Sequence, residues 1–546
     1  MTGTLKRYWH TLRPLRPEQV FGRVLFHLNR PHPDLAPAPP RRPGSGTWRV
    51  ADLSTGWAEP DQFQFGGITR RISGPTGWNP ADVPRLWLYH LHYFDNWAGG
   101  GRAEWCRQLL VRWIAENPPA RGVGWEPYPL SRRIVSWTKW ILQGGQTDPI
   151  LGHSLAVQAR YLRKRLEWHL LANHLWTNAK ALVFAGALFS GKEGDHWLEE
   201  GLHLLERERV EQILPDGGHF ERSPMYHALV LEDLLDLVQL AGIYPECFPA
   251  TVLDAWRTTA LQMMDWLAAM SHPDGGIAFF NDAVFDVAPG YGQLVSCATA
   301  LGLPVQTGSG LPVVALPDSG YIRLATPRAV VIADLGPVGP DYQPGHAHAD
   351  TLSFEFSLDG KRVLVNGGIS TYEKGADRRR QRGSAMHNTV VVDNEDSSEV
   401  WGSFRVARRA RPQGVRWARG EELLWMEGSH DGYRRLPGRV LHRRRWELLE
   451  GRLRVIDTLD GKYQDAQAFF RFSPKVRVQP AADGGSGAEI WWQTIGALRA
   501  EVRPGSWHPG FGVRVPCQVL VVTFDGPRLE TEFLWNGEDA NSLSIG

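Results

Sequence analysis

From about residue 81 to residue 301, apolar side chains recur at i, i+3 and i+4 through AEWCRQLLVRWIAEN, LSRRIVSWTKWILQ, SLAVQARYLRKRLEWHLL, NAKALVFAGALF, HALVLEDLLDLVQLAGIY and TVLDAWRTTALQMMDWLAAM. That period marks amphipathic helices. The spacing alone permits a solenoid, a bundle or an (α/α) toroid, and no fixed-length repeat selects the solenoid. After LPDSGYIRLA the texture changes to short runs that read as strands: RAVVIADLG, TLSFEFSLDGKRVLVNGG, NTVVVDNED, RLRVIDTLD, QAFFRFS, AEIWWQTIG and QVLVVTFDG. In LSFEFSL, Leu352, Phe354, Phe356 and Leu358 alternate with Ser353, Glu355 and Ser357, and Asp359-Gly360 supplies a hairpin turn before KRVLV. Many such strands in succession predict a β-sandwich. The chain therefore runs all-α, then all-β, in three parts: an extension over 1–80, a helical domain over 81–310 and a β domain over 311–546. Within the extension, PHPDLAPAPPRRPGSGTWRV (31–50) is Pro-rich and reads as an extended connector or surface wrap.

Length suits this division, because 546 residues exceed one ordinary core. Lys+Arg 60 against Asp+Glu 59 leaves the molecule nearly neutral, which argues against a nucleic-acid partner. Recognition must be local. The 24 tryptophans suit sugars, whose C–H faces stack on rings, although most of them read as core. Cys106, Cys247, Cys297 and Cys517 form no CxxC pair, so neither a disulfide framework nor a thiolate metal site is indicated. The N-terminus has basic residues but no continuous apolar stretch of the secretory type, and no segment approaches the roughly 20 apolar residues of a membrane span. The expectation is a soluble, cytoplasmic protein, with periplasmic or secreted placement as the alternative.

Chemistry is concentrated in five places. Asn173-His174 stands just before, or in the first turn of, an apolar helix, where Asn173 alone reads as an N-cap. In SPMYHALVLEDLL, Ser223 as N-cap and Pro224 at the first helical position present Tyr226 and His227 in the first turn. In GHAHAD (345–350), His346, His348 and Asp350 alternate and would share a face of an extended segment with Leu352 and Phe354. An unpaired imidazole beside a sandwich core costs about 1–3 kcal/mol, so these side chains line a site or bind a metal. VNGGISTY (365–372) is brought near GHAHAD by the hairpin. In RRRQRGSAMHNTVVVD, Arg378, Arg379, Arg380 and Arg382 precede His387-Asn388; such a run is usually a solvated face, but beside a histidine cluster it suits sugar carboxylates.

These segments, together with LWLYHLHYFDNW (86–97), GWEPYPLSRRIVSW (124–137) and SHDGYRRLPGRVLHRRR (429–445), resemble the heparinase II/III superfamily and its related alginate lyases across nearly the whole chain. The resemblance implies an α+β multidomain fold, an N-terminal (α/α) toroid followed by a C-terminal antiparallel β-sandwich, and eliminative cleavage of a uronic-acid polysaccharide. Elimination needs a dispersed enolate charge, a base and an acid for the leaving oxygen. By resemblance, Asn173 and His174 bind the carboxylate, Tyr226 is the general acid and, for one substrate stereochemistry, also the base, and His346 is the opposite-face base, with Tyr372 as an alternative. One of Arg379 and Arg382 holds the carboxylate, and Trp125 and Trp176, inside matching segments, are candidates to stack on sugar. The family's divalent metal, zinc or calcium, maps to His348, Asn366 and His387; no organic cofactor is implied. Relatives typically carry Asp at the middle position, and a neutral amide is a poor zinc ligand, so the metal is weaker, absent or completed by a group such as Asp350.

Two other functions compete. A glycoside hydrolase needs two carboxylates roughly 5–10 Å apart; Asp216, Glu221, Asp233 and Asp282 are candidates, and their spacing singles out no pair. A noncatalytic carbohydrate-binding or assembly protein has no need of Tyr226 and His346. The lack of an export signal points to synthesis or remodelling of a cell's own exopolysaccharide or capsule.

Overall fold

The computed structural model describes residues 3–49, 57–59, 61–95, 103–144, 149–306, 310–481, 484–487 and 490–535. Asn96 and Trp97 of LWLYHLHYFDNW, Val50 of the Pro-rich segment, and Ala488 and Glu489 of AEIWWQTIG lie outside them. The helical half contains Arg85–Tyr93, Ala103–Glu116, Pro127–Leu142, Pro149–Arg163, Ala172–Leu188, Gly191–Gln212, Pro224–Ile243, Ala250–Ala269 and Tyr291–Ala300. At its centre, Ala172–Leu188 is buried on nearly every side and packs against Pro127–Leu142, Gly191–Gln212 and Pro224–Ile243. A helix apolar all round belongs inside a larger helical assembly.

Two departures from the apolar pattern have physical causes. The segment SLAVQARYLRKRLEWHLL does not continue as helix to its end: the helix stops at Arg163. The chain then turns so that Glu167 N can donate to Asn178 Oδ1 at 2.9 Å. Conversely, Gly191–Gln212 is a long helix with charges over much of its surface, so its apolar period is faint. It packs closely on Ala172–Leu188 because Gly186 and Gly201 bring the backbones together; a Cβ on Gly186 would lie 2.3 Å from Leu198 N, and one on Gly201 would lie 2.8 Å from Val183 N.

The β half contains three larger antiparallel sheets. The first runs Val313–Leu316, Tyr321–Ala325, Ala329–Asp334, Phe354–Leu358 and Lys361–Leu364, in chain order. The second has eight strands, led by Pro412–Arg419, Leu424–His430, Leu441–Leu449 and Arg452–Asp460. The third orders Arg499–Trp507, Val515–Phe524, Ala466–Arg471 and Val390–Val392. Phe354, Trp446, Phe470 and Phe533 join all three in one core. The Arg run 443–445 obscures the strand Leu441–Leu449, whose inward positions include His442, Arg444 and Trp446. Arg444 is neutralised there by Asp457, at 2.7 and 2.8 Å.

The first sheet joins the halves because it is covered on both faces. In Ala329–Asp334, Val331 and Ala333 enter the sandwich core, whereas Val330 and Ile332 meet Trp266, Met270 and Phe280 from the helical side. In Phe354–Leu358, the polar parity would face water in an open sandwich. Here Glu355 Oε2 lies 2.8 Å from His272 Nε2, and Ser357 Oγ lies 2.7 Å from His272 Nδ1. Residues 31–49 run along the helical domain: Arg160 donates to Ala36 O and Pro37 O at 2.6 and 2.9 Å, and Trp48 N donates to Leu142 O at 2.9 Å.

Burial holds two core histidines neutral. Burial pushes His92 down to about 3, with Arg133 adding to the effect, and pushes His227 down to about 3. The unfolded chain protonates both near about 6.5 and the folded chain does not. Their contribution to stability is therefore complete above about pH 6.5 and is lost as pH falls toward 3, at up to about 1.4 kcal/mol per pH unit for each. Urea unfolding midpoints should fall between pH 7.5 and pH 5, and equal midpoints would contradict this account.

Candidate active site

Ser223 caps the helix Pro224–Ile243, its Oγ accepting from Tyr226 N at 3.2 Å. This anchors Tyr226 in the first turn, as the sequence predicts. The tyrosine ring stacks on His346, with centroids 3.9 Å apart, and its hydroxyl is 3.0 Å from the Tyr372 hydroxyl. Burial raises both tyrosines well above the ordinary phenol range. His227, the neighbouring candidate of the same turn, belongs to the core: its Nε2 lies 2.9 Å from Met263 O and its ring stacks on Trp266 at 4.2 Å.

GHAHAD is an irregular loop rather than an extended strand; regular pairing begins at Phe354, after Leu352 has turned through a φ of 63°. His346 and His348 nevertheless converge, because one carboxylate binds both. Asp282 Oδ2 is 2.8 Å from His346 Nδ1, and Asp282 Oδ1 is 2.8 Å from His348 Nε2. Arg378 completes the arrangement with a bidentate pair at 2.5 and 2.7 Å. Burial by itself would raise Asp282, but Arg378 and the two imidazoles hold it well below the usual carboxylate range. An ionised carboxylate only accepts, so His346 Nδ1 donates to Asp282 and Nε2 points away from it.

Glu221 stands on the Nε2 side of that ring, with Oε2 3.7 Å from His346 Nε2. It is 2% exposed, and neither oxygen has an aligned hydrogen-bond partner. Burial raises its carboxyl, against the pull of His346, the Asn173 backbone and His174. Asn173 and His174 occupy the first turn of Ala172–Leu188, which Leu171 rather than Asn173 caps. His174 Nδ1 is 3.1 Å from Glu167 Oε1, an electrostatic contact rather than an aligned bond. Burial would lower His174, but Glu167 outweighs it and the imidazole is raised.

Several predicted contacts fall elsewhere. Trp125 is buried against Trp113 and Tyr161 with its N–H on Asn117 O, and Trp176 is buried with its N–H on Asp233 Oδ2. Neither offers a face to sugar. Arg382 is buried and donates to Ala347 O and Ser403 O, so it shapes the loop instead of binding a ligand. Arg379 is exposed on the helix Ala376–Gln381. The chemistry of the run lies in Arg378, which sequence spacing does not distinguish from its neighbours. A cleft of about 730 Å³ reaches Tyr372 and is lined by Phe65, His90, Arg132, Phe285 and Phe511 among others. Those rings replace the two tryptophans as candidate stacking surfaces.

The metal set also shifts. His348, Asp350 and His387 offer ligand atoms within 4.8 Å of one another. Because Asp282 holds His348 Nε2, Nδ1 is left facing His387 Nε2 at 3.1 Å, and a carboxylate behind a histidine is a common outer support for metal ligands. Asn366 is engaged elsewhere, accepting from Asn388 N at 3.2 Å and donating to Ser353 Oγ at 3.5 Å. Asp350 offers a carboxylate oxygen where Asn366 offers only an amide. Two imidazoles and a carboxylate suit zinc better than calcium.

The chain is a polysaccharide lyase, with a stacked tyrosine and histidine at the seam of its toroid and sandwich. The chain belongs to the heparinase II/III-like family: its N-terminal family model matches residues 102–289 and its C-terminal model residues 309–536. It is similar to FtsZ-localized protein C of Caulobacter vibrioides, 25% identical over 509 residues, covering 86% of this chain and 85% of that one. It is also similar to the heparin-sulfate lyase of Bacteroides stercoris, 25% identical over 386 residues, covering 59% of this chain and 56% of that enzyme. The crystal structure of heparinase III shares the fold, with a TM-score of 0.64, 16% identity and coverage of 95% of this chain and 85% of that one.

Substituting Asp282→Asn leaves Arg378 uncompensated in the interior. Removing one partner of such a pair costs about 3–5 kcal/mol, so the variant should unfold at a markedly lower urea concentration. A midpoint equal to that of the parent would show that the carboxylate is not the organising group.

Proposed function

We propose that this lyase cleaves a uronic-acid-containing polysaccharide by β-elimination, with Tyr226 and His346 as the reacting pair. The supporting observation is the stacking of Tyr226 on His346, at 3.9 Å, with Tyr372 on the Tyr226 hydroxyl. His346 Nε2 takes the proton α to the uronate carboxylate, the electron pair forms the C4–C5 double bond, and the C4–O bond breaks. The leaving oxygen takes the Tyr226 proton, which a high phenol pKa keeps in place until then. Asn173, His174 and Glu221, whose carboxyl is raised by burial, face the carboxylate and spread the enolate charge. The hydrolase reading is disfavoured because both Asp282 oxygens are occupied by Arg378, His346 and His348.

The similarity to FtsZ-localized protein C spans most of both chains, whereas the match to the heparin-sulfate lyase spans about half of that enzyme. This supports a polymer of the cell's own envelope, an exopolysaccharide or capsule, as substrate in preference to scavenged heparin. The protein should be incubated with heparin, unsulfated uronate polymers and exopolysaccharide while the ultraviolet absorbance of unsaturated products is followed. Absorbance should appear with a uronate polymer and fall by at least about 100-fold in Tyr226→Phe, with a loss also in Glu221→Ala. New reducing ends without absorbance would select hydrolysis, and full activity in Tyr226→Phe would remove it from the reaction.

The metal reading is a zinc ion held by His348, Asp350 and His387, supported by the convergence of these donors and by the Asp282 contact that frees His348 Nδ1. When bound it would fix the GHAHAD loop beside the reacting pair. Elemental analysis should find near-stoichiometric zinc in the purified protein and little in His387→Ala; equal content in both would exclude this ligand set.

A further inference from the structure

The first two helices, Gly3–Leu12 and Pro17–Leu28, turn their apolar faces toward solvent. In the first, Leu5, Trp9 and Leu12 are 55–58% exposed; in the second, Phe21, Leu25 and Leu28 are 63–77% exposed. Each trio has the spacing i, i+4, i+7, one continuous stripe along a helix. The rest of the protein holds these helices by other side chains. Tyr8 meets Trp401 edge-on at 5.1 Å, and Thr11 Oγ1 accepts from Trp401 Nε1 at 3.1 Å. In the second helix, Gln19 is buried and donates to Tyr342 O at 3.1 Å, while Phe26 packs on His169 with centroids 4.1 Å apart. Gly22 lies so close to Trp168 that a Cβ would stand 3.1 Å from its carbonyl carbon. The docking thus leaves outside the side chains that an ordinary helix buries.

Charge tells what covers them. Residues 3–30 carry Lys6, Arg7, Arg13, Arg16, Arg23 and Arg30 against Glu18 alone, six positive charges minus one negative, or +5, in a chain whose total is +1. Of these cations, Arg16 is paired with Glu211 at 2.5 Å. A second copy docked face to face through a two-fold axis would bring two such basic segments together, which is unfavourable. A helix with Trp, Phe and Leu on one side and Lys and Arg on the others matches the interface of an anionic bilayer, where apolar side chains enter the acyl boundary and cations meet the headgroups. Among the described residues no helix is long and apolar enough to cross a membrane.

We propose that the helices Gly3–Leu12 and Pro17–Leu28 form a membrane-surface anchor that lays the enzyme on an anionic lipid leaflet. The apolar stripes supply the insertion and the cations select the charge. A lyase held in this way works on polymer at the membrane surface.

The test is co-sedimentation of the full chain with vesicles of phosphatidylcholine alone or of phosphatidylcholine with phosphatidylglycerol in about equal parts. Binding should require phosphatidylglycerol and weaken as salt is raised. The triple variant Trp9→Ser, Phe21→Ser, Leu25→Ser should bind at least about ten-fold less tightly. These exposed substitutions should leave the melting temperature of the chain unchanged, so a loss of binding would not be a loss of fold. A second variant, Arg7→Gln, Arg13→Gln, Arg23→Gln, keeps the apolar stripes and should lose both the preference for phosphatidylglycerol and most of the salt dependence. Failure of the parent chain to bind phosphatidylglycerol vesicles at low salt would overturn the proposal, as would equal binding by the triple variant. A dimer in sedimentation velocity that the triple variant dissolves would assign the face to a second copy instead.

Discussion

Everything at the site depends on one buried carboxylate. Asp282 lies between the helices Ala250–Ala269 and Tyr291–Ala300, yet its partners Arg378, His346 and His348 come from the β half. A carboxylate removed from water persists as an anion only where cations and donors surround it. Arg378 meets that need, and the two imidazoles are oriented as a consequence. One oxygen sets the tautomer of the proposed base, and the other turns His348 Nδ1 toward His387. Reaction site and candidate metal site are therefore two readings of the same charge.

The seam that holds Asp282 is a packed interior, not a flexible hinge. The sheet that includes Ala329–Asp334 and Phe354–Leu358 contributes one side-chain parity to the sandwich core and the other to the helical domain. Trp266 links Ala250–Ala269 to this sheet through Tyr321, at 5.8 Å between centroids. Interiors packed on both sides transmit small displacements, so Tyr226 on the helical side and His346 on the other can be held at ring-stacking distance. The cleft lined by Phe65, Phe285 and Phe511 opens beside Tyr372, at the edge of this packed seam.

Different physical signals made different parts legible. The all-α then all-β order was readable because apolar period is a local property, visible in segments such as HALVLEDLLDLVQLAGIY and RLRVIDTLD. Tyr226 was readable with its cap because Ser223-Pro224 is a local helix start. Gly191–Gln212 and Leu441–Leu449 were obscured by charges, the first packing through glycines and the second burying Arg444 against Asp457. Trp125 and Trp176 resembled sugar platforms because composition cannot distinguish an indole in a core from one in a cleft.

The sequence by itself determined the two-part architecture and the turn that presents Tyr226, since each is written in neighbouring residues. It also placed the resemblance to a family of lyases, which the chain's two halves carry in order. Only the tertiary structure decided that Asp282 and Arg378 organise the site and that Glu221 faces His346. Those choices arise from contacts between residues 60 to 130 positions apart, such as Asp282 with Arg378 and Glu221 with His346. No local period or spacing encodes such contacts, because they exist only once two hydrophobic cores have closed against each other.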